Sequence, residues 1–286
     1  MAEADISQLV GARYGASTNP VPAGVGEIEG NPTLNTLLQH RSVRHFLPEG
    51  LPQGSLEVIL AGAQSAATSS NLQTWSVIAL EDPEHKRKAA DLCGDQEFIR
   101  RAPLFLIFCA DLNRLTRVSE QHGLGGEGLK FTEMFLMASL DAGLAGQNAT
   151  VAAEALGLGT CYVGAARNNS DQLADLLQLP PRVIALFGLA IGRPDLNKPT
   201  SVKPRLPQKE VLHREVWRQD DKDGDDVLEK NLAEYDVTLA SFNAAEKRED
   251  MPAWTLRSAR RIETVESLHG RDILKLIMNR RGFELL

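Results

Sequence analysis

The stretch QHRSVRHF at residues 39–46 concentrates side chains that bind anions. Its donors, which fall within six positions of a chain of formal net charge −7, are His40, Arg41, Ser42, Arg44 and His45. Arg offers a planar fork of N–H groups, His a ring N–H and Ser a hydroxyl, and together they suit a phosphate. A solvated basic turn between helices is the simpler alternative, and the stretch alone does not separate the two.

Three further polar stretches could belong with a phosphorylated cofactor. The Pro-rich loop KPTSVKPRLP at 198–207 carries Lys198, Lys203 and Arg205 and so offers donors of the same kind. TSSNLQ at 68–73 adds hydroxyls and amides for a sugar-like chain or a heterocycle edge, and CYVGAARNN at 161–169 adds backbone N–H groups. Each has a structural alternative: TSSNLQ as a helix C-terminal turn, and the paired Asn residues 168–169 as an N-cap.

Motifs for other chemistries are missing from the sequence. It has no G-x-S-x-G, H-E-x-x-H or G-x-x-x-x-G-K-[ST] motif, and GLGGEG at 123–128 does not follow a predicted strand. The acidic run DDKDGDD at 220–226 lacks the Gly and Glu positions of a calcium loop, so we interpret it as a solvated turn and predict no metal site. An enzyme without a nucleophile or metal can take its reactivity from a cofactor.

Composition narrows the function classes. With 38 acidic against 31 basic residues, the chain has no general positive field for nucleic acid or an anionic membrane surface. Its 43% hydrophobic content is ample for a core, and no apolar run approaches the ~20 residues of a membrane helix. The three Cys residues form no C-x-x-C pair, and the N-terminal stretch lacks a secretory apolar run. These features predict a cytoplasmic protein.

Hydrophobic patterning predicts a mixed fold. Short apolar runs at 75–80, 103–110, 160–165 and 183–191 read as buried strands. Helical periodicity is predicted after an N-cap at Thr33, again over 55–66, and through the Ala- and Gly-rich segment 130–159, which we expect to be the central helix, stopped by Gly157 or Gly159. Residues 15–32 are rich in Gly and Pro and suggest an N-terminal arm.

The ordered motifs HRSVRHF, TSSNLQTWS, GDQEFI, FCAD, QNATVAAEALGLGTCYVGAARNN, FGLAIGRP and KPRLP resemble the FMN-dependent nitroreductase family. The likeness is to its branch of oxygen-insensitive NADPH nitroreductases and flavin reductases, and it covers residues 34–215 closely and the tail to 286 more loosely. It implies an α+β nitroreductase-like fold, with a central antiparallel sheet flanked by helices, and an intertwined homodimer with FMN at the interface. The domains expected are an arm at 1–32, an FMN-binding core at 33–215 and a helical C-terminal excursion at 216–286.

The resemblance also implies roles by position. The residues expected to hold the FMN phosphate and ribityl chain are His40, Arg41, Ser42, Arg44, Lys203 and Arg205. Those expected at the ribityl chain or ring are Ser69, Ser70, Asn71 and Gln73. Gln96 is expected at the pyrimidine side of the partner's flavin. The segment expected beside the isoalloxazine is Val163, Gly164, Ala165, Ala166 and Arg167.

Other positions are expected near NADPH or the acceptor. Lys247, Arg248 and Arg257 lie in the helical tail, where this branch binds NADPH, although a solvated helix face explains each equally well. Glu133 is expected to influence which acceptors fit. The chain departs from the family pattern in reading GAAR where relatives commonly read GGLR, and TSSN where they carry a longer serine run.

The function implied is electron transfer from NAD(P)H through bound FMN to nitroaromatics or quinones. The mechanism expected is ping-pong, with hydride transfer from the nicotinamide to flavin N5 and no catalytic side chain. Two alternatives stay open: an NADPH:FMN oxidoreductase that supplies reduced flavin to a partner, and a non-catalytic dimer that binds or senses FMN.

Overall fold

The computed structural model describes residues 5–15, 21, 24–217 and 227–286. The acidic run at 220–226 and parts of the predicted arm lie outside the described residues. The chain divides into two compact units, unit 1 (residues 1–41 and 200–267) and unit 2 (residues 42–199 and 268–286). The sequence-based boundaries at 32 and 215 stay a prediction.

Helices and strands follow one another along the described residues. The strands are β1 (Trp75–Leu80), β2 (Leu104–Asp111), β3 (Gly159–Val163) and β4 (Val183–Gly192). The helices are α1 (Ile6–Tyr14), α2 (Pro32–Leu38), α3 (Ser55–Gln64), α4 (Pro83–Leu92), α5 (Glu97–Arg101), α6 (Asn113–Gln121), α7 (Thr132–Ala155), α8 (Ser170–Leu176), α9 (Gln208–Val211), α10 (Val227–Ala245), α11 (Trp254–Arg261) and α12 (Leu274–Arg280).

Unit 2 is built on a four-stranded sheet in the order β1-β2-β4-β3, with every neighbouring pair antiparallel. The apolar runs therefore predicted the strands correctly to within two residues at each end. At the end of β3 the predicted strand was too long, because residues 164–167 turn into a short 3-10 helix instead. The α+β class and the central antiparallel sheet are confirmed.

Central strand β2 is buried along its whole length and packs on both faces. Phe105, Ile107 and Cys109 belong to the core cluster that includes side chains of α4 and α8. The alternate residues Leu104, Leu106 and Phe108 belong to the cluster that includes side chains of α3 and α7. Because strand side chains alternate, a continuous apolar run is what a strand covered on both faces requires.

Helix α7 is the central helix expected from its small residues. A Cβ on Gly62 of α3 would lie 2.7 Å from the Cβ of Ala152, so small residues let these two helices approach closely. Gly157 follows the last turn with φ +77°, as predicted for the stop. The opposite face of α7 is open, with Leu136, Leu140 and Leu144 about half exposed.

Unit 1 contains α1, α2 and α9–α11. The cap of α2 was predicted wrongly: Asn31, whose side chain accepts from the Leu34 N–H at 3.0 Å, is the N-cap, and Thr33 lies inside the first turn. Pro32 supplies the fixed φ favoured at the first helical position, which explains the earlier start. Residues 6–14, predicted as an arm, form a helix with Asp5 as its N-cap.

Candidate functional site

The two basic segments of unit 1 are joined by hydrogen bonds. Arg13 of α1 donates from Nη2 to the carbonyls of Leu38 and His40, both at 2.9 Å, and from Nη1 to the carbonyl of Lys203 at 3.0 Å. The N–H of Arg205 donates back to the Arg13 carbonyl at 2.9 Å. His40 and Arg41 thus lie in the same unit as Lys203 and Arg205, bonded through one buried guanidinium.

Each cation of these segments has a defined local environment. Arg41 is partly buried and donates from Nη1 to the Gln39 carbonyl at 3.3 Å. Lys203 is partly buried, with its Nζ 5.9 Å from the Phe242 ring centroid, a cation–π distance. Arg205 is exposed and bonds the Lys203 carbonyl at 3.0 Å. Arg41 precedes the segment 42–199 of unit 2 in the sequence, and Lys203 and Arg205 follow it. All three nevertheless belong to unit 1.

The tail candidates lie in the same unit. Arg248 pairs with Glu246 at 3.2 Å, and its guanidinium carbon is 5.9 Å from the Phe242 centroid. Phe242 therefore has both Arg248 and Lys203 within cation–π range. Lys247 is exposed just beyond the end of α10, with φ +55°.

Arg257 and Arg205 share a neighbour. Burial raises the pKa of the Tyr235 hydroxyl, and the positive charges of Arg205 and Arg257 act against that rise. The Tyr235 hydroxyl donates to the Pro204 carbonyl at 3.0 Å, which holds the loop between Lys203 and Arg205. Arg257 is thus electrostatically close to the Lys203–Arg205 loop.

Ser42 and Arg44 continue the HRSVR stretch as the first residues of unit 2. Ser42 pairs with Thr160 of β3 in a parallel bridge, and the Val43 N–H donates to the Thr160 carbonyl at 2.8 Å. Arg44 is exposed, with its guanidinium carbon 6.0 Å from the Phe98 centroid. These bonds place residues 42 and 43 beside the edge strand β3.

The TSSNLQ segment is held in an unusual backbone conformation. Residues 69–71 form a 3-10 turn, and the exposed positions with left-handed φ are Ser70 (+49°), Asn71 (+56°) and Gln73 (+51°). Non-glycine residues adopt such angles at some cost, so surrounding bonds must impose them. Gln73 also donates from its side-chain amide to the Asn71 side-chain oxygen at 3.3 Å.

Asp141 of α7 supplies those bonds. Its carboxylate accepts from the Thr68 hydroxyl at 2.6 Å, the Ser69 N–H at 3.1 Å, and the Thr74 N–H and hydroxyl at 3.1 and 2.9 Å. Burial alone would raise the pKa of Asp141, but these donors outweigh it, and the pKa is lowered. One buried carboxylate thereby fixes both ends of the TSSNLQ turn.

The turn after β3 is held by a hydrogen bond to the neighbouring strand β4. Arg167 donates from Nη1 to the carbonyl of Leu186 in β4, and burial lowers the pKa of its guanidinium. Val163 and Ala166 are buried, while Gly164 and Ala165 are partly exposed. Residues 164 and 165, directly after β3, are thus partly accessible.

Gln96 lies near this turn within the same chain. A Cβ on Gly94, which has φ +81°, would lie 3.4 Å from the Cβ of Ala165 and 4.0 Å from Nε2 of Gln96. The Gln96 amide donates to the Cys93 carbonyl at 2.8 Å. Glu133, in the first turn of α7, is exposed.

Other site types find no support in the part of the chain that the structure describes. No group of three or more His, Cys, Asp or Glu side chains there could hold a metal ion. Within the same residues, no helix combines the length and apolar character needed to cross a bilayer.

Comparison with known sequences and structures decides the family. The sequence profile described as "Nitroreductase family" matches residues 37–193, and that described as "Nitroreductase family, C-terminal domain" matches residues 203–286. The chain belongs to the nitroreductase family.

Three relatives of this nitroreductase-family chain illustrate the likeness. It is 38% identical over 213 residues to an "FMN reductase (NADPH)" of Bacillus subtilis, covering 74% of this chain and 83% of the relative. It is 39% identical over 212 residues to an "Oxygen-insensitive NADPH nitroreductase" of Salmonella typhimurium, covering 74% and 82%. The solved structure of B. megaterium NfrA1 superposes with a TM-score of 0.82 at 36% identity, covering 89% of this chain and 100% of the other. The nitroreductase-like fold is confirmed.

The sequence did not reveal two residues that organise these segments. Asp141 carried a signal, since a carboxylate in the middle of a predicted core helix, among apolar and small residues, must have polar partners. Arg13 carried none, because it lies in the predicted arm and outside both family ranges.

Proposed function

We propose that this nitroreductase-family chain is an FMN-containing enzyme that transfers two electrons from NAD(P)H to nitroaromatic or quinone acceptors. The observation that carries the proposal is the bonding of the two basic segments through Arg13, which brings three cationic side chains and one imidazole into unit 1: Arg41, Lys203 and Arg205, with His40. The relatives named as FMN reductase and NADPH nitroreductase support the same conclusion.

The residues fit the chemistry of FMN. Its phosphate is a dianion, and the gathered cations, with Ser42 and Arg44 next along the chain, offer the charge-assisted donors that such a group requires. Its ribityl chain and ring edges are hydrogen-bonding groups, which the exposed hydroxyls and amides of Ser69, Ser70, Asn71 and Gln73 suit. Gln96, Val163, Gly164, Ala165, Ala166 and Arg167 are the residues we assign to the ring.

FMN held by these residues would supply the redox chemistry, two-electron transfer between NAD(P)H and an acceptor, and we propose a ping-pong order for it. The chain's own share is orientation and charge. The bonds of Asp141 and Arg167 keep the TSSNLQ and GAAR turns in one conformation, so their donors need little reorganisation when the cofactor binds. Burial raises the pKa of all three thiols, to about 12 for Cys93 and Cys109, which disfavours a thiolate nucleophile.

Lys247, Arg248 and Arg257 are the residues we assign to NADPH. Arg248 is the best supported, since it shares the Phe242 ring with Lys203 and so adds charge close to the cationic loop. Glu133 is exposed and available to an acceptor. The three free cysteines fit the cytoplasmic location expected from the sequence.

We further infer a homodimer. The exposed apolar residues of α7 recur at helical spacing, at Leu136, Leu140 and Leu144 (49–60% exposed), with Phe131 before them. Such a row of exposed apolar side chains favours binding of a protein partner. The family resemblance implies that this partner is a second copy of the chain. Light scattering should give a mass near twice 31.2 kDa. A monomer at micromolar concentration would contradict this inference.

Anaerobic titration of the purified yellow protein with NADPH tests the function. The flavin absorbance should bleach with one equivalent of NADPH, and a nitroaromatic or quinone should restore it. A failure to bleach would leave only a flavin-binding protein. Steady-state turnover on free FMN far above that on every nitroaromatic and quinone would instead favour a flavin reductase, which the name of the B. subtilis relative also suggests.

The basic segments should hold the flavin phosphate. Replacing Arg41 and Lys203 together with Ala removes two charge-assisted bonds of about 1.5–3 kcal/mol each, so the Kd for FMN should rise by at least about a hundredfold. The control is Lys88→Ala with Arg101→Ala, two exposed cations in surface ion pairs, which changes the net charge equally. Equal FMN affinity in the two double variants would remove Arg41 and Lys203 from the site.

A further inference from the structure

Arg13 is a buried cation that bonds main-chain carbonyls. The residue is 9% exposed, and its guanidinium donates to the carbonyls of Leu38, His40 and Lys203. Two of them, His40 and Lys203, are residues proposed to contact phosphate. Arg13 therefore acts on the peptide groups that carry those side chains.

The bonds fix the distance between two segments that are far apart in sequence. The acceptors of Nη1 and Nη2 lie 190 and 27 residues from Arg13, on opposite sides of unit 2 in the chain. A planar guanidinium can bond both at once because its donors point in fixed directions, which an ammonium cannot reproduce. The return bond from the Arg205 N–H to the Arg13 carbonyl adds a second tie to the same loop.

The same bonds orient local dipoles. A carbonyl oxygen facing a phosphate would repel it, and the His40 and Lys203 oxygens face Arg13 instead. Since a trans peptide directs its C=O and N–H to opposite sides, the His40 carbonyl bond turns the Arg41 N–H away from Arg13. The N–H of Arg41, which is the positive end of this peptide's dipole, then lies on the side where we expect the anion.

We propose that Arg13 is a positioning residue for the FMN phosphate, setting the spacing and orientation of the His40–Arg41 and Lys203–Arg205 segments. This inference rests on the proposed function. It assigns the N-terminal helix α1 a role in cofactor affinity, although α1 precedes the first family range, which begins at residue 37.

Comparison of FMN with riboflavin, which lacks the phosphate, tests the proposal in the full-length protein. In Arg13→Gln the Kd for FMN, followed by quenching of flavin fluorescence, should rise about tenfold while the Kd for riboflavin stays the same. Arg13→Lys keeps the charge but not the fork, so it should give an intermediate ratio. Arg101→Gln, an exposed cation in an ion pair with Glu97, is the charge-matched control and should leave both constants unchanged.

A second readout does not depend on affinity. The ³¹P resonance of bound FMN should shift in Arg13→Lys relative to wild type, and it remains measurable if Arg13→Gln does not fold. The proposal would be overturned if the ratio of the Kd for FMN to the Kd for riboflavin were the same in the variants as in wild type, including the case in which both flavins lose affinity equally. Failure of the proposed function gives a different experimental result, because the wild-type protein would then fail to bind FMN or its flavin would fail to bleach with NADPH.

Discussion

In unit 1 the buried charge that organises a functional segment is the guanidinium of Arg13, and in unit 2 it is the carboxylate of Asp141. The guanidinium donates hydrogen bonds to three main-chain carbonyls. The anion collects two N–H groups and two hydroxyls. Both residues are at most 9% exposed, and both bond main-chain groups of segments that are distant in sequence.

The difference in sign matches the role proposed for each segment. A segment that binds an anion needs its carbonyl oxygens turned away, which a cation behind it achieves. A turn that offers hydroxyls and amides to a ring needs its strained φ angles maintained, which an acceptor at both of its ends achieves. The two residues therefore differ in expected consequence: Arg13 affects phosphate affinity, whereas Asp141 affects the conformation and stability of unit 2.

The largest effect should follow loss of the Asp141 carboxylate. Asp141→Ala leaves the buried Thr74 N–H and the partly buried Ser69 N–H without their acceptor, at a cost of about 2–4 kcal/mol of unfolding free energy. For a chain of this size the melting temperature should fall by roughly 5–10 °C. Thermal unfolding followed by circular dichroism measures it, and FMN and riboflavin should lose affinity equally.

Asp141→Asn and pH sharpen this prediction. The folded-state pKa of Asp141 is lowered, so the charged carboxylate contributes stability that is fully present above its unfolded value near 4 and is lost as pH falls through the folded pKa. Wild type should therefore exceed Asp141→Asn in stability at pH 7, with the difference shrinking below about pH 4. A difference that stays constant from pH 7 to pH 3 would mean that the charge does not stabilise the turn.

The strands and the central helix could be predicted from the sequence because local pattern and burial agree there. β2 is covered on both faces, so its residues form one unbroken apolar run, and α7 packs through regularly spaced small residues. The α2 cap was predicted wrongly because both Asn31 and Thr33 can cap, and the choice depended on Pro32. Helix α1 escaped prediction because its short stretch is only weakly amphipathic and lies beside Gly and Pro.

The residues of the candidate site also divide into those that the sequence indicated and those that it did not. HRSVR and KPR stood out in the sequence because phosphate binding, their proposed role, demands particular side-chain types. The partners of Arg13 and Asp141 could not be assigned, since the three carbonyls that Arg13 bonds and two of the four donors to Asp141 are main-chain atoms, which any residue type supplies. A contact to a carbonyl 190 residues away leaves no trace in local sequence. Such bonds become visible only once the backbone path is known.

The smallest expected effect concerns the thiols, and it separates the two units. Cys93, Cys109 and Cys161, the only cysteines of the chain, are all buried in unit 2, and burial raises the pKa of each thiol. A disulfide reagent such as DTNB should therefore label the native protein at pH 8 only through opening of unit 2. Full labelling in urea, giving three thiols per chain, provides the endpoint.

Asp141→Ala should speed this labelling, because it lowers the free energy of opening unit 2, whereas Arg13→Gln should leave the rate at the wild-type value. The expected null result for Arg13 is informative, because its contacts lie within unit 1 and its proposed role is in phosphate binding. If Arg13→Gln accelerated labelling as much as Asp141→Ala, the guanidinium would be stabilising the whole chain. The division of roles between the two buried charges would then be wrong.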